Sequence, residues 1–369
     1  LGTIMQSFCA LGIITLLWFL IGYTLAFGSD VGGIIGNLKH LGLNGVTTAP
    51  EPSLAGTIPH SLFMIFQCMF AVLTVALISG AYAERMKFSS FLVFSVFWSL
   101  LVYSPLCHWV WGGGWLDGIG ALDFAGGAVV HMSSGSAALA AALVLGRRKG
   151  HGSTAFIPHN LPMTVTGASI LWLGWFGFNA GSALQVDGIA VNAFVVTHAA
   201  ACMGLLGWLA GEKLHRQKPT TLGATSGAVA GLVAITPAAG FVGPLSSLFI
   251  GFLAGIICYG GVLLKEKLQF DDSLDVVAIH GLGGVWGALA TGIFASTVIN
   301  SGGANGLLFG NPMQLWIQFV SVVAACVFSF LVSVLILKAV DKLIGLRVTP
   351  EEEEQGLDLS MHSETGYKY

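Results

Sequence analysis

The chain has 369 residues, of which 55% are hydrophobic and only 9% are charged, and its net charge is -3. This composition is typical of a polytopic membrane protein and excludes a water-soluble domain, because no soluble core could bury so much apolar surface. The few basic residues are dispersed along the sequence, which argues against a nucleic-acid-binding protein.

Apolar stretches of about 20 residues, which is long enough for a helix to cross a bilayer, recur along the whole chain. Ten of them are found, at roughly 5–27, 60–82, 89–106, 125–146, 162–182, 189–210, 222–237, 244–264, 275–297 and 314–337. We therefore predict an all-α membrane protein with ten spans embedded in the lipid bilayer. No cleavable signal peptide is recognisable, since the first stretch has no charged segment before it.

The basic residues predict how these spans are oriented. If the N terminus is cytoplasmic, Lys39 alone of the 15 lysines and arginines lies outside. The other fourteen fall in the inner connections and the tail: Arg85, Lys87, Arg147, Arg148, Lys149, Lys213, Arg216, Lys218, Lys265, Lys267, Lys338, Lys342, Arg347 and Lys368. Cytoplasmic loops carry an excess of positive charge. We therefore expect a multi-pass protein of the cytoplasmic (inner) membrane with a cytoplasmic C terminus.

Two matching motifs place ionisable residues inside predicted spans. Asp123 is followed eight residues later by His131, and Asp272 is followed eight residues later by His280. Asp123 is predicted at the outer end of the fourth span and Asp272 at the inner end of the ninth, and eight helical residues advance about 12 Å. In a hydrocarbon core about 30 Å thick, the two histidines would lie within about 6 Å of each other in depth. We expect their imidazoles to be in contact along a substrate pathway.

Structural roles compete with this interpretation. A single intramembrane histidine is often a hydrogen-bonded packing residue, and an aspartate at a helix start is a common N-cap. For Asp123 and Asp272 both a structural and a proton-related role therefore remain open. Gly135 and Gly284 each follow a histidine by four residues and would let the helices approach closely.

Several longer strings resemble one family. They are DFAGGAVVHMSSGSAAL (123–139), PHNLPM (158–163), LGWFGFNAGSAL (173–184) and DVVAIHGLGGVWGALATGIFA (275–295). These motifs are specific, and together they resemble the ammonium transporter family, the Amt/Mep/Rh proteins, and its bacterial or archaeal Amt branch best. The resemblance covers nearly the whole chain.

The resemblance implies an inverted five-plus-five helix repeat followed by a last long helix, assembled as a homotrimer with one pore in each subunit. Family members usually have eleven spans, and the opening LGTIMQSF is similar to the start of their second helix. We expect the first family helix to be absent because the sequence is a fragment. Completion by another polypeptide and a divergent ten-span form are the alternatives.

The same resemblance assigns roles to individual residues. Trp111, Ser182 and Phe70 should form an outer recruitment site for ammonium, where aromatic faces hold the cation and a hydroxyl accepts a hydrogen bond. Phe70 and Phe178 match a stacked phenyl pair that closes the outer end of the pore, and Trp175 should line the lumen below. Interface anchoring for Trp111 and helix packing for the other four are the structural alternatives.

Solvation favours a mechanism in which the substrate loses a proton. A dehydrated ammonium ion in an apolar pore would cost many kcal/mol, whereas neutral ammonia is tolerated far better. We therefore expect recruitment of ammonium, its deprotonation, and conduction of ammonia past the pair of His131 and His280, with separate proton transfer as an open option. An ammonium sensor that uses the same binding site is the alternative.

The C-terminal segment divides the chain into two parts. Residues 1–345 would form the transmembrane ammonium-conducting domain, and residues 346–369 a cytoplasmic regulatory tail. Its acidic run predicts a solvated tail, whereas the resemblance implies a GLD-x-x-x-H tail that packs on the cytoplasmic face and responds to a PII-type regulatory protein. No nucleophile and base set and no metal-ligand cluster occurs, so we expect neither an enzyme nor a cofactor or metal.

Overall fold

Long apolar helices make up most of the computed structural model, which describes residues 1–367. Within that range, nine helices are long and apolar enough to cross a membrane and a tenth apolar helix is shorter. In chain order they are α1 Gly2–Phe27, α2 His60–Ala81, α3 Phe88–Gly118, α4 Gly127–Leu145, α5 Leu161–Gly181, α6 Gly188–Arg216, α7 Thr221–Ile235, α8 Pro244–Leu268, α9 Val277–Phe294 and α10 Pro312–Ile344. The prediction of an all-α polytopic membrane protein is confirmed. Lys368, assigned above to the inner side, lies outside the described residues.

The predicted count of ten full spans is not confirmed, because α7 is short. It has 15 residues, which at about 1.5 Å per residue reach only about 22 Å of a core about 30 Å thick. The chain leaves the helix through turns over residues 236–242. Pro237 supplies no backbone N–H to continue it.

Small residues let α7 pack against α6 with almost no gap. A methyl group added to Gly231 would clash with the carbonyl oxygen of Ala200, and one added to Gly227 would lie 2.6 Å from the carbonyl oxygen of Gly204. Backbone approaches of this kind need residues without a side chain. The spacing of Gly223, Gly227 and Gly231 is therefore a packing feature.

Residues 28–59 cover one face of the helix bundle with two small antiparallel hairpins. Strand β1 (Asp30–Val31) pairs with β2 (Ile35–Gly36), and β3 (Pro50–Glu51) pairs with β4 (Ala55–Pro59). The buried His108 of α3 joins this layer to the helices, since its Nε2 lies 2.9 Å from Asp30 Oδ1. The buried His60 joins α2 to α1 instead, since its Nε2 lies 2.5 Å from the Tyr23 hydroxyl.

The C-terminal tail folds against the opposite face as two short helices, α11 (Pro350–Gln355) and α12 (Leu357–His362). Asp358 accepts hydrogen bonds from the backbone nitrogens of Leu1 (2.7 Å) and Gly2 (2.6 Å). Lys149 donates through its Nζ to Glu354 (2.6 Å) and through its backbone N–H to Glu353 (2.7 Å). The tail is thus docked on the bundle, and we call this side the tail face.

A buried arginine ties three loops together beneath the tail. The Arg85 side chain is fully buried and donates to the carbonyl oxygens of Gly146 and Asp271 and to the Ser273 hydroxyl. Arg148 in turn donates to both carboxylate oxygens of Asp271, at 2.9 Å each. Burial alone would raise the pKa of Asp271, but the hydrogen bonds from Arg148 and the charge of Arg85 outweigh it and lower the pKa to about 2.

This ion pair predicts an acid-sensitive step in stability. Because the pKa of Asp271 is lower in the folded protein than in the unfolded chain, its stabilisation is present above pH about 4 and is lost as the pH falls toward 2. The shift corresponds to about 2 kcal/mol. We expect Asp271→Asn to lower the thermal unfolding temperature at pH 7 and to flatten its decline between pH 4 and 2. An unchanged decline in the variant would contradict this assignment.

Candidate functional site

Two histidines meet in the centre of the bundle. His131 comes from α4 and His280 from α9, and their Nδ1 atoms lie 3.1 Å apart with ring centroids 5.2 Å apart. His131 is fully buried and His280 is only 8% exposed. The contact predicted from the two motifs is therefore confirmed. The π-helical turns that carry them, Gly127–Met132 and Val277–Leu282, were not foreseen.

The contact fixes what each imidazole can offer. A hydrogen bond between two Nδ1 atoms requires one of them to carry the proton, so one Nε2 becomes an acceptor and the other a donor when both rings are neutral. The Nε2 atom of His131 is buried and has no hydrogen-bond partner within the described chain. The pair thus presents complementary ring nitrogens, at least one of them free for a small polar molecule.

Both aspartates of the motifs support helix starts. The Asp123 carboxylate accepts hydrogen bonds from the backbone N–H groups of Gly126 (2.8 Å), Gly127 (2.6 Å) and Ala128 (2.7 Å). Asp272 Oδ2 accepts one from Val277 at 2.7 Å, while Asp272 Oδ1 has no partner among the described residues. These contacts are the capping role that the sequence left open. Each cap fixes the turn that carries a histidine.

Close helix packing brings the two histidines to the same point. A methyl group added to Gly135 would clash with the backbone of Gly281, the neighbour of His280, and one added to Gly284 would lie 3.1 Å from the Cβ atom of His131. The glycines that follow the histidines by four residues are thus the contact points of α4 and α9. Their role in close approach is confirmed.

Aromatic rings continue from the histidine pair toward the face covered by residues 28–59. The Trp175 ring stacks on His131 at 5.5 Å between centroids and 16° between planes, and Phe178 lies 5.9 Å from His131. The ring centroids of Phe70 and Phe178 are 4.6 Å apart, but their planes are inclined by 43°, so the pair is tilted and not stacked as the resemblance implied. Trp175 Nε1 donates to the Thr236 hydroxyl at 2.9 Å, which fixes the indole. The structure thus brings the predicted phenyl pair and Trp175 next to the histidines.

A cavity of about 250 Å³ lies on the far side of Phe70. Phe70 from α2, Trp111 from α3 and Ser182 after α5 all line it, so the three residues predicted to form an outer site do share one space. Trp111 Nε1 donates to the carbonyl oxygen of Asp123 at 2.8 Å, and the Ser182 hydroxyl donates to that of Phe178 at 2.8 Å. Ser182 therefore keeps its oxygen lone pairs as acceptors.

Sequence reasoning did not single out two other polar residues that line this cavity, Gln67 and Asp117. Gln67 lies three residues before Phe70 on α2, within an otherwise apolar stretch, and this position was the one signal that could have identified it. Nothing in the sequence distinguished Asp117 from an ordinary loop carboxylate. Among the described residues, no group of three or more histidine, cysteine, aspartate or glutamate side chains could hold a metal ion.

Comparison with known proteins identifies the family. The model of the Ammonium Transporter Family matches residues 1–367. The "Ammonium transporter" of Bacillus subtilis (strain 168) is 54% identical over 100% of this chain and 90% of its own length. Among solved structures, Saccharomyces cerevisiae Mep2 is 36% identical with a TM-score of 0.89, and covers 95% of this chain and 83% of its own. A "Sensor Amt Protein" is 32% identical with a TM-score of 0.88, and the match covers 97% of this chain and 89% of that protein. The match over the whole chain, with higher identity to the bacterial protein than to the yeast one, shows that this chain belongs to the ammonium transporter family and is consistent with its bacterial and archaeal Amt branch.

Proposed function

We propose that this chain transports ammonium by recruiting the cation in the aromatic cavity, passing one of its protons to solvent water or to the ring nitrogens of the histidine pair, and conducting ammonia past that pair. The contact between His131 and His280 carries this proposal, together with the unpartnered Nε2 of His131. A buried polar atom without a partner is costly. A small hydrogen-bonding substrate that passes the two rings would satisfy it.

Recruitment follows from the chemistry of the cavity walls. A cation held over the faces of Trp111 and Phe70 gains about 1–2 kcal/mol per good contact when it is partly desolvated. The Ser182 oxygen can accept one N–H of the ion. These groups favour a small cation that also donates hydrogen bonds.

Deprotonation follows from the wall beyond the cavity. The rings of Phe70 and Phe178 pack with their centroids 4.6 Å apart, and the rings of Trp175 and His131 lie behind them, so the wall between the cavity and the histidine pair is aromatic. A bare cation in such surroundings would cost many kcal/mol, whereas ammonia needs only one or two hydrogen bonds. Potassium is similar in size and charge but has no proton to lose. The same step therefore gives selectivity.

The two imidazoles act as paired donor and acceptor. Neutral rings joined through Nδ1 offer ammonia an acceptor nitrogen on one ring and a donor nitrogen on the other. Reversal of both tautomers would also move a proton along the pair, separately from ammonia. Asp123 supports this arrangement through the helix start that it caps.

The assembly and the membrane are part of the same proposal. Residues 1–345 form the conducting domain of a homotrimer in the cytoplasmic membrane, and residues 346–369 form a regulatory tail on the cytoplasmic side. The contacts of Asp358 with the first turn of α1 and of Lys149 with the tail support a regulatory role, because a PII-type protein bound to the tail face would contact both the tail and the loops beneath it.

Sensing is the second candidate, since one structural neighbour is titled a sensor. A sensor would bind ammonium in the same cavity without conducting it. Reconstitution of the full chain into liposomes separates the two functions. We expect an ammonium gradient to produce uptake well above that of protein-free vesicles, and uptake equal to protein-free vesicles would favour the sensor.

Removal of the cavity indole should weaken recruitment. We expect Trp111→Leu to raise the half-saturating ammonium concentration for uptake roughly tenfold, because a cation–π contact of about 1–2 kcal/mol is lost. Trp109→Leu is the matched control, since Trp109 donates instead to the carbonyl oxygen of Ile34 and packs on Phe328, outside the cavity. The same half-saturating ammonium concentration in wild type and in Trp111→Leu would contradict the role of Trp111 in recruitment.

A further inference from the structure

The recruitment groups leave most of an ammonium ion without hydrogen-bond partners. The ion carries four N–H donors, whereas Ser182 supplies one acceptor oxygen and the aromatic rings supply none. Trp111 Nε1 is a donor and is already used by the carbonyl oxygen of Asp123. Additional acceptors in this cavity would therefore decide how well it holds ammonium.

Gln67 provides one such acceptor. Its side chain is only 7% exposed and lines the cavity from α2, three residues before Phe70. Its Oε1 atom is buried and has no hydrogen-bond partner among the described residues. A buried carbonyl oxygen without a partner is unfavourable, and a cation with N–H donors in the cavity would satisfy it.

Asp117 provides a full negative charge at the same cavity. It lies in the one-turn helical segment Trp115–Gly118, is exposed, and lines the cavity. In the part of the chain that the structure describes, no cationic side chain pairs with it. A carboxylate at the rim attracts cations from solution and raises their local concentration.

We propose that Gln67 and Asp117 are cation-binding residues of this cavity, in addition to Phe70, Trp111 and Ser182. The Gln67 amide oxygen accepts an N–H of the ion held over the aromatic rings, and the Asp117 carboxylate draws the ion to the rim. The ligand class is a small monovalent cation with N–H donors. This inference rests on the proposed transport function, because it concerns the same site.

Substitution of Gln67 tests the inner acceptor. We expect Gln67→Leu to raise the half-saturating ammonium concentration for uptake into proteoliposomes about tenfold, with the maximal rate within about twofold of wild type. Gln6→Leu is the matched control: Gln6 is a buried glutamine of α1 whose Oε1 also lacks a partner, but it does not line the cavity. The half-saturating ammonium concentration should be the same in Gln6→Leu as in wild type.

A second variant separates binding from packing. Gln67→Glu keeps an acceptor oxygen on a side chain of nearly the same size, so its half-saturating concentration should equal or fall below that of wild type. A rise in Gln67→Glu as large as that in Gln67→Leu would show that Gln67 acts by packing, and would overturn the proposal. If Gln67→Leu does not fold, as judged by thermal unfolding in detergent, Gln67→Glu is compared with wild type alone. A rise of about tenfold in its half-saturating ammonium concentration would then overturn the proposal.

Asp117→Asn tests the rim charge through its dependence on salt. At low ionic strength we expect the half-saturating ammonium concentration to rise about threefold, and the difference from wild type to vanish in about 0.5 M sodium chloride, because salt screens exposed charges. Glu51→Gln, which removes a carboxylate of the same face that does not line the cavity, should show neither effect. An Asp117→Asn effect that persists at high salt would contradict a role in attraction.

Equilibrium binding distinguishes failure of this inference from failure of the transport function. Ammonium chloride is titrated against the full chain in detergent, with tryptophan fluorescence as the signal and sodium chloride as the blank. Weaker binding in Gln67→Leu supports the inference even if no uptake occurs in liposomes. Wild-type uptake and wild-type binding in both Gln67→Leu and Asp117→Asn would overturn it and leave the transport function intact.

Discussion

Selective ammonium uptake should fall by about two orders of magnitude in both His131→Ala and His280→Ala, since loss of a group that transfers protons typically costs about 10²–10⁴-fold. Each change also removes the hydrogen bond of 3.1 Å between the two Nδ1 atoms, so that the Nδ1 of the other histidine loses its partner. The measurement is uptake into proteoliposomes with simultaneous recording of current, for ammonium and for potassium.

His198→Ala is the matched control for these variants. His198 is exposed on α6 and contacts Trp172 rather than the histidine pair. Its uptake and selectivity should equal those of wild type. Wild-type conduction and wild-type selectivity in both His131→Ala and His280→Ala would refute the pore role of the pair.

Gly135→Ala is the second change with a large expected effect. The added methyl group would clash with backbone atoms of Gly281, which cannot move aside as a flexible side chain could. We expect α4 and α9 to separate, at a cost of about 1–3 kcal/mol, and the histidine contact to be lost with them. The thermal unfolding temperature in detergent and the rate of ammonium uptake should therefore both fall.

Gly167→Ala on α5 is the control for this packing effect. A methyl group there would meet no atom within 4 Å, and alanine favours a helix by about 1 kcal/mol over glycine. Its unfolding temperature should be unchanged or slightly higher. If Gly135→Ala keeps the stability and the uptake of wild type, the contact between His131 and His280 does not depend on the close approach of α4 and α9 at Gly135, and the prediction is wrong.

Much of the fold was predictable because a bilayer imposes length and hydrophobicity on each helix. The apolar stretches located α1 to α10 to within a few residues at most ends, and the spacing of Asp123 and His131 predicted the histidine contact. The seventh apolar stretch was already the shortest of the ten, so the sequence did show a short α7; it did not show that the helix ends at Ile235 before a turn. The predicted span ran two residues too far, through Pro237.

The site was less predictable, because polar contacts depend on backbone geometry. The capping role of Asp123 was an open alternative that its four backbone hydrogen bonds now establish. The π-helical turns that carry both histidines have no composition signal. Gln67 and Asp117 reach the cavity from different helices, and only the packing of α2 against α3 shows that they share it.

Docking of the tail was also beyond sequence pattern alone. An acidic run predicts a solvated segment, but Thr349 and Glu352 form a reciprocal helix cap that starts α11, and Glu353 pairs with Arg347 at 2.8 Å. The resemblance to known transporters predicted this packing, whereas charge composition did not. Local capping and ion pairs decided the outcome.

Selectivity by loss of a proton is tested most directly by stopped-flow uptake of ammonium, methylammonium and potassium into liposomes that contain the full chain. We expect rapid uptake of ammonium, slower uptake of methylammonium because of its larger size, and potassium uptake no faster than in protein-free vesicles. Equal uptake of all three ions would contradict the mechanism.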